Sequence, residues 1–298
     1  MTFKAAEYER YTGPRSKMPA WMPLAELALR RGWKSKWVRR ITTLSLMQGV
    51  GLMIMMYALN QVVPSWRELT QQVGVLAGGD SDGFVIDAGI YLNFLFLFVY
   101  PVLLPLSLLF GYDLISKDIE TNALDSYFAR PITPLGYILG RSLAFVGFLM
   151  TATFGPMILV WISDWATSGD AHLELIAIVP FAMFWSLLLI SVTLSLLVQA
   201  ITTITKSGMW TNITFVFIFI LMHILSKILY EITDLPEVQA LSVLHNTGVV
   251  CEYALHQIPA ETNHPSAPAH VSISVMLITS VISFIIVHRG LKRRTFLG

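Results

Sequence analysis

The chain has 298 residues, 55% of them hydrophobic and only 13% charged, with a mean hydropathy of +0.64. That balance excludes a soluble domain built around one large core and points to an integral membrane protein, all-α in class. The formal net charge of +1 hides a strong segregation of Lys and Arg along the chain, and the single Cys251 excludes an intrachain disulfide.

Residues 1–20 are polar, broken at Gly13-Pro14, and are expected to be flexible. The first forty residues show no short apolar core followed by a cleavage site, so no cleavable signal is expected there. Over residues 21–40, Trp21, Ala25, Leu29, Trp33 and Trp37 recur at steps of four, against Glu26, Arg30, Arg31, Lys34 and Lys36. This pattern predicts an amphipathic helix lying in the membrane interface, with Trp rings at headgroup depth and cations toward water or lipid phosphate.

Residues 41–298 form the membrane domain, with six runs of spanning length: Ile41 to Val63, Ala88 to Phe110, Ser142 to Ile162, Leu175 to Val198, Met209 to Leu229 and Val271 to Val287. Each lies near the length of about 20 residues that crosses about 30 Å of hydrocarbon. With the N-terminus inside, eighteen Lys and Arg fall on inner segments, and only Arg67 and Lys227 fall outside. The asymmetry predicts a multi-pass protein with both termini cytoplasmic. Its basic inner face suits anionic membrane lipids, and no nucleic-acid partner is needed to explain it.

Among the connections, Pro64 to Asp87 carries Gly78-Gly79, Asp80, Asp82 and Gly83. It lacks the terminal Glu of a calcium loop and reads as a solvated connector. Pro101 and Pro105 should bend the second span. Gly136, Gly140 and Ala144 make a small-residue stripe that invites close approach of another helix. The segment from Tyr230 to Ala269 is far longer than a turn requires; its apolar middle is interrupted by His245, Asn246, Gly248 and Glu252. A re-entrant or interfacial hairpin fits better than a full crossing, with Leu241, Leu244, Val249 and Val250 as a candidate outer gate.

The densest signal is Asp113 to Arg141, DLISKDIETNALDSYFARPITPLGYILGR, a polar segment between two spans. Ile115, Ile119, Leu124, Tyr127 and Phe128 recur at helical spacing while Asp113, Lys117, Asp118, Glu120 and Asp125 fall mainly on other faces. Arg130-Pro131 should end the helix. A short amphipathic helix placed in such a loop reads as a docking surface.

This segment resembles the signature of type 2 ABC transporter permeases (type V exporter-like subunits), roughly I-x-x-E-R-E-x-G-T-L-x-x-L-L-x-R-P-I-S-R-x-x-Y-x-x-G-K. Ile115, Asp118, Glu120, Leu124, Phe128, Arg130, Pro131, Ile132, Thr133, Tyr137, Gly140 and Arg141 match it or substitute conservatively. Ile119 departs from the usual Arg, and Asn122-Ala123 from the usual Gly-Thr. The resemblance implies that the segment is a cytoplasmic coupling helix docking on an ATPase subunit. It also implies that an interfacial helix precedes the first span, that short helices dip into the outer leaflet before the sixth, and that the chain pairs with a second permease chain.

No G-x-x-x-x-G-K-[ST] occurs in the chain. The reading is therefore a non-catalytic exporter subunit in a prokaryotic plasma membrane, with no cofactor of its own and with ATP and Mg on two separate ATPase chains. His245, His256, His264 and His270 share the long outer segment with Cys251 and Glu252, but no pair has compact metal-ligand spacing. His223 lies inside the fifth span, and a hydrogen bond from neutral imidazole to a neighbouring helix is its simplest use. The rival reading is a secondary transporter or a membrane scaffold. Ion-coupled carriers usually show buried acids at mid-membrane. Here the Asp and Glu lie outside the six central stretches.

Overall fold

The structure is a computed structural model describing residue 19 and residues 21–62, 86–121, 123–128, 132–167, 176–255 and 267–295. The N-terminal residues 1–18, most of the Pro64 to Asp87 connector, Arg130, Pro131, His256 and His264 lie outside the described residues. Every regular element among the described residues is helical. In chain order these are α1 (Trp21–Lys34), α2 (Lys36–Val62), α3 (Ile86–Leu114), α4 (Ser116–Glu120), α5 (Ala123–Phe128), α6 (Pro134–Thr167), α7 (Val179–Thr205), α8 (Gly208–Thr233), a 3-10 turn (Pro236–Leu241), α9 (Val243–Ala254) and α10 (Ala269–Thr295).

Six helices, α2, α3, α6, α7, α8 and α10, are long and apolar enough to cross a membrane, which makes the chain a multi-pass membrane protein. All six exceed the hydrophobic runs that announce them. Hydropathy locates the hydrocarbon crossing, whereas a helix continues until a cap or breaker ends it. Thus α7 runs on to Thr205 and stops where Lys206 turns left-handed at φ 57°, and α8 stops at Asp234 with φ 52°. The largest extension is α6. It begins at Pro134 rather than Ser142, so Tyr137 and Arg141 are helical residues, not loop.

The bundle has an interior and a rim. Within the apolar windows, 56% of α3 and 50% of α6 and α7 is buried, against 22% of α2 and α10 and 17% of α8. The rim helices turn Leu44, Met47, Ile54, Phe217, Ile220, Ile278 and Ile282 outward, as lipid-facing residues should be. Side-chain hydrogen bonds stitch neighbouring helices together. Ser45 donates to the Ala152 carbonyl, Ser163 to that of Met53 (3.0 Å), Gln199 to Ser142 (2.7 Å), and Thr193 pairs with Ser280 (3.0 Å).

Two close crossings position the rest. At Gly49 a methyl group would lie 2.5 Å from Cβ of Pro156, so α2 and α6 touch nearly backbone to backbone. At Gly140 it would lie 2.7 Å from the Trp21 carbonyl. The stripe of Gly136, Gly140 and Ala144 therefore receives α1 of the same chain.

The amphipathic helix expected over 21–40 ends at Lys34, and Trp37 belongs to the first turn of α2 with Arg40 5.4 Å above its ring. A step of four drifts around a helix of 3.6 residues per turn. The row of five therefore does not form one buried face: Leu24, Ala25 and Ala28 pack on α6, while Leu29, Trp33 and Trp37 remain exposed.

Candidate coupling surface

The connection between α3 and α6 is two short helices, not one. A bend at Ile115 separates α3 from α4, and Thr121 ends α4 with its amide on the Lys117 carbonyl (2.9 Å). The apolar stripe faces inward: Ile115 and Leu124 are buried, and Ile119 and Tyr127 pack against the bundle core. The nearest apolar surface to cover is the chain's own. Lys117 and Glu120 point outward. The side chains of Asp113, Asp125 and Phe128 lie outside the described residues.

Asp118, expected on an exposed face, is 1% exposed. Its Oδ2 accepts from the Tyr137 hydroxyl at 2.6 Å and from Arg141 Nη2, and its Oδ1 accepts from Arg31 Nη1 at 3.3 Å. Arg141 is equally buried and lies 5.5 Å from the Tyr137 ring centre. One carboxylate thus ties three elements, α4, α6 and α1. Such a pair withstands its desolvation cost best when its hydrogen bonds are filled; Asp118 fills both of its oxygens, while Nε of the buried Arg141 has no partner among the described residues. Glu120 reaches the other way, accepting from the Gly208 amide (3.5 Å) at the N-terminus of α8, where an anion is favoured. The geometry can pass a displacement of α4 to α6, α1 and α8 together.

At the opposite end of the bundle, the 3-10 turn and α9 pack on α7, α8 and α10. Of the candidate gate residues, Val249 and Val250 are buried in that packing, Leu244 is half-buried on the core, and only Leu241, 51% exposed, projects. His223 of α8 pairs with Ser242 Oγ (3.0 Å), which also caps α9 by accepting from the His245 amide (3.1 Å). His223 therefore fastens the start of α9 to its neighbouring span. Burial, with help from His223 and Lys227, pushes the His245 imidazole down to about 4. Its Nε2, unprotonated, accepts from the Ala267 amide (3.3 Å). Burial also raises the Glu252 carboxyl and, with Glu252 nearby, holds the Cys251 thiol up at about 12, so this cysteine stays a thiol.

One polar cluster has no counterpart in the sequence reading. Asp164, two residues beyond the expected end of the third span, lies inside α6 and is 1% exposed. It accepts from Asn60 of α2 (2.9 Å) and from the Tyr91 hydroxyl of α3 (2.8 Å). The signal was present as an acid in helical phase with Val160 and Met157, both buried. Among the described residues, no three His, Cys, Asp or Glu side chains converge as metal ligands.

No family model matches this sequence, and no curated protein matches it.

Proposed function

We propose that this chain is the transmembrane permease subunit of an ATP-binding cassette exporter, working with a second permease chain and two ATPase subunits. The observation that carries the reading is the α4–α5 connection. It combines the sequence resemblance with a mechanical tie, through Asp118, to the start of the longest helix of the bundle. In this reading its end of the bundle, with α1 and both termini, is cytoplasmic in a prokaryotic plasma membrane. Closure of the ATPases on their ATP and Mg pushes α4 and α5. The Asp118 tie transfers the push to α6 and α1, while α3, which carries Pro101 and Pro105 inside its length, absorbs the bend. The central path then alternates between inner and outer access. The least covered span, α8, offers an apolar groove of about 580 Å³ along Ile213, Phe217 and Ile220 for the second permease chain.

The experiment is co-purification of the chain from its native membrane with an ATP-binding cassette ATPase subunit. Glu120→Lys together with Asp125→Lys should abolish recovery of the ATPase while leaving the permease in the membrane. Unchanged recovery sinks the assignment.

Asp164 favours the rival reading of an ion-coupled carrier, since a buried acid among spans is the usual mark of proton coupling. Transport collapsed by a protonophore at constant ATP, and lost in Asp164→Asn, would select that reading instead.

A further inference from the structure

Between α1 and α6 lies a trough of about 830 Å³. Its walls and floor are apolar, formed by Leu29, Trp33, Gly147 and Phe148, with Trp33 stacked on Phe148 at 6.0 Å between centroids. Thr151 adds no free donor, because its hydroxyl donates back to the Gly147 carbonyl at 2.7 Å. The rim is entirely cationic: Arg30, Arg31 and Lys34 of α1.

These three cations are available. Among the described residues Arg30 pairs with Glu26 alone, one turn earlier, both side chains being mostly exposed at 74% and 60%, and such pairs contribute little. Lys34 has no ion-pair partner among the described residues. Arg31 spends one nitrogen on Asp118 and keeps its other donors. An apolar trough under a fork of two guanidiniums and an ammonium fits a phosphodiester joined to a hydrocarbon chain. A free phosphate would leave the trough empty. A protein segment would find no free hydrogen-bond donor on its floor. The trough lies against residues 147–151 of α6, within the apolar stretch of a helix long enough to span.

We propose that this trough binds one anionic phospholipid, its phosphate held by Arg30, Arg31 and Lys34 and an acyl chain lying on Leu29 and Phe148, and that through Arg31 the lipid steadies Asp118 and α4. The electrostatic reason is local. Asp118 faces two guanidiniums, so the cluster carries an excess positive charge that a lipid phosphate at Arg31 balances. The inference rests on the membrane-spanning bundle alone and stands or falls independently of the ATPase.

The test uses the full chain in nanodiscs of phosphatidylcholine with or without phosphatidylglycerol, one lipid at a time carrying brominated acyl chains that quench indoles on contact. The signal of Trp33 is isolated by difference from Trp33→Phe. Brominated phosphatidylglycerol should quench Trp33 several-fold more than brominated phosphatidylcholine at equal mole fraction. Lys34→Gln should reduce that preference about fivefold. Gly147→Leu, whose Cβ would meet Leu29 at 3.8 Å, an ordinary contact, fills the floor and should reduce quenching by both lipids with no loss of melting temperature. Soluble glycerol phosphate should not compete. Hydrogen exchange at the Ile119 and Thr121 amides should slow when phosphatidylglycerol is present and lose that response in Lys34→Gln. Equal quenching by the two lipids, which is what an ordinary lipid belt gives, overturns the proposal, as does exchange at Ile119 that ignores phosphatidylglycerol.

Discussion

The Tyr137 hydroxyl donates to the Asp118 carboxylate at 2.6 Å, joining the short helix after the second span to the start of the third. Because Arg141 of the same helix donates to the same oxygen, α4 is tied to α6 at two points. Removing either partner has unequal consequences. Tyr137→Phe deletes one hydrogen bond and should cost about 1 kcal/mol. Asp118→Ala strands a buried guanidinium and should cost about 3–5 kcal/mol. Thermal unfolding in detergent checks this, and equal melting shifts for the two variants would show that the ion pair adds nothing.

Topology follows from the bias of Lys and Arg. In a Cys251→Ser background, a cysteine at Asp82 or Glu261 should react with an impermeant thiol reagent applied outside, and one at Lys117 or Lys206 should not. Labelling at position 117 from outside would reverse the six-span orientation.

The α2–α6 crossing at Gly49 tolerates no methyl group, since the added Cβ would lie 2.5 Å from Cβ of Pro156 and 2.6 Å from its Cα. Gly49→Ala must push the helices apart and should cost about 1–3 kcal/mol. The control is Gly51→Ala, which meets nothing within 4 Å. A matching loss of melting temperature in the control would refute the crossing.

Acid should loosen α9. His245 has a folded pKa of about 4 against an ordinary 6.5, so the unfolded chain binds more protons between those values. Stability from neutral His245 is therefore intact above about 6.5 and is lost as pH falls toward 4. Protonation also removes the acceptor for the Ala267 amide. Glu252, whose pKa is raised by burial, acts in the opposite sense and is relieved by acid. Hydrogen-exchange protection across α9, taken relative to the intrinsic rate at each pH, should fall from pH 7 to pH 5, and His245→Gln should flatten that fall. A profile unchanged by the substitution would assign the acid response elsewhere.

The two leucines of the hairpin should behave differently. Leu244→Asp puts a carboxylate on the bundle core and should lower the melting temperature, whereas Leu241→Asp, at an exposed position, should leave it. If the hairpin closes the exit, Leu241→Asp raises the ATPase rate of the assembled complex with no change in melting. An unaltered rate removes Leu241 from the gate.

The number of spans, the basic bias of one set of segments and the existence of α1 were all legible in the chain itself. Each is a local property: about 20 apolar residues cross a bilayer whatever else the protein does, and a cation stays where hydration is cheap. The ends of the helices were not legible, because they depend on caps such as Lys206 and Asp234 and not on hydropathy. Nor was the inward turn of Ile119 and Leu124, since an apolar stripe at helical spacing does not say whether its own bundle or another protein covers it. The tertiary structure decided the fate of Asp118. Its partners come from 87 residues upstream in Arg31 and 23 downstream in Arg141, and only the packing of α1 and α6 brings those charges to it. The same holds for Asp164, whose partner Asn60 is 104 residues away. A charge in a loop pattern looks solvated until a distant opposite charge or donor is folded against it, and then burial becomes the cheaper state.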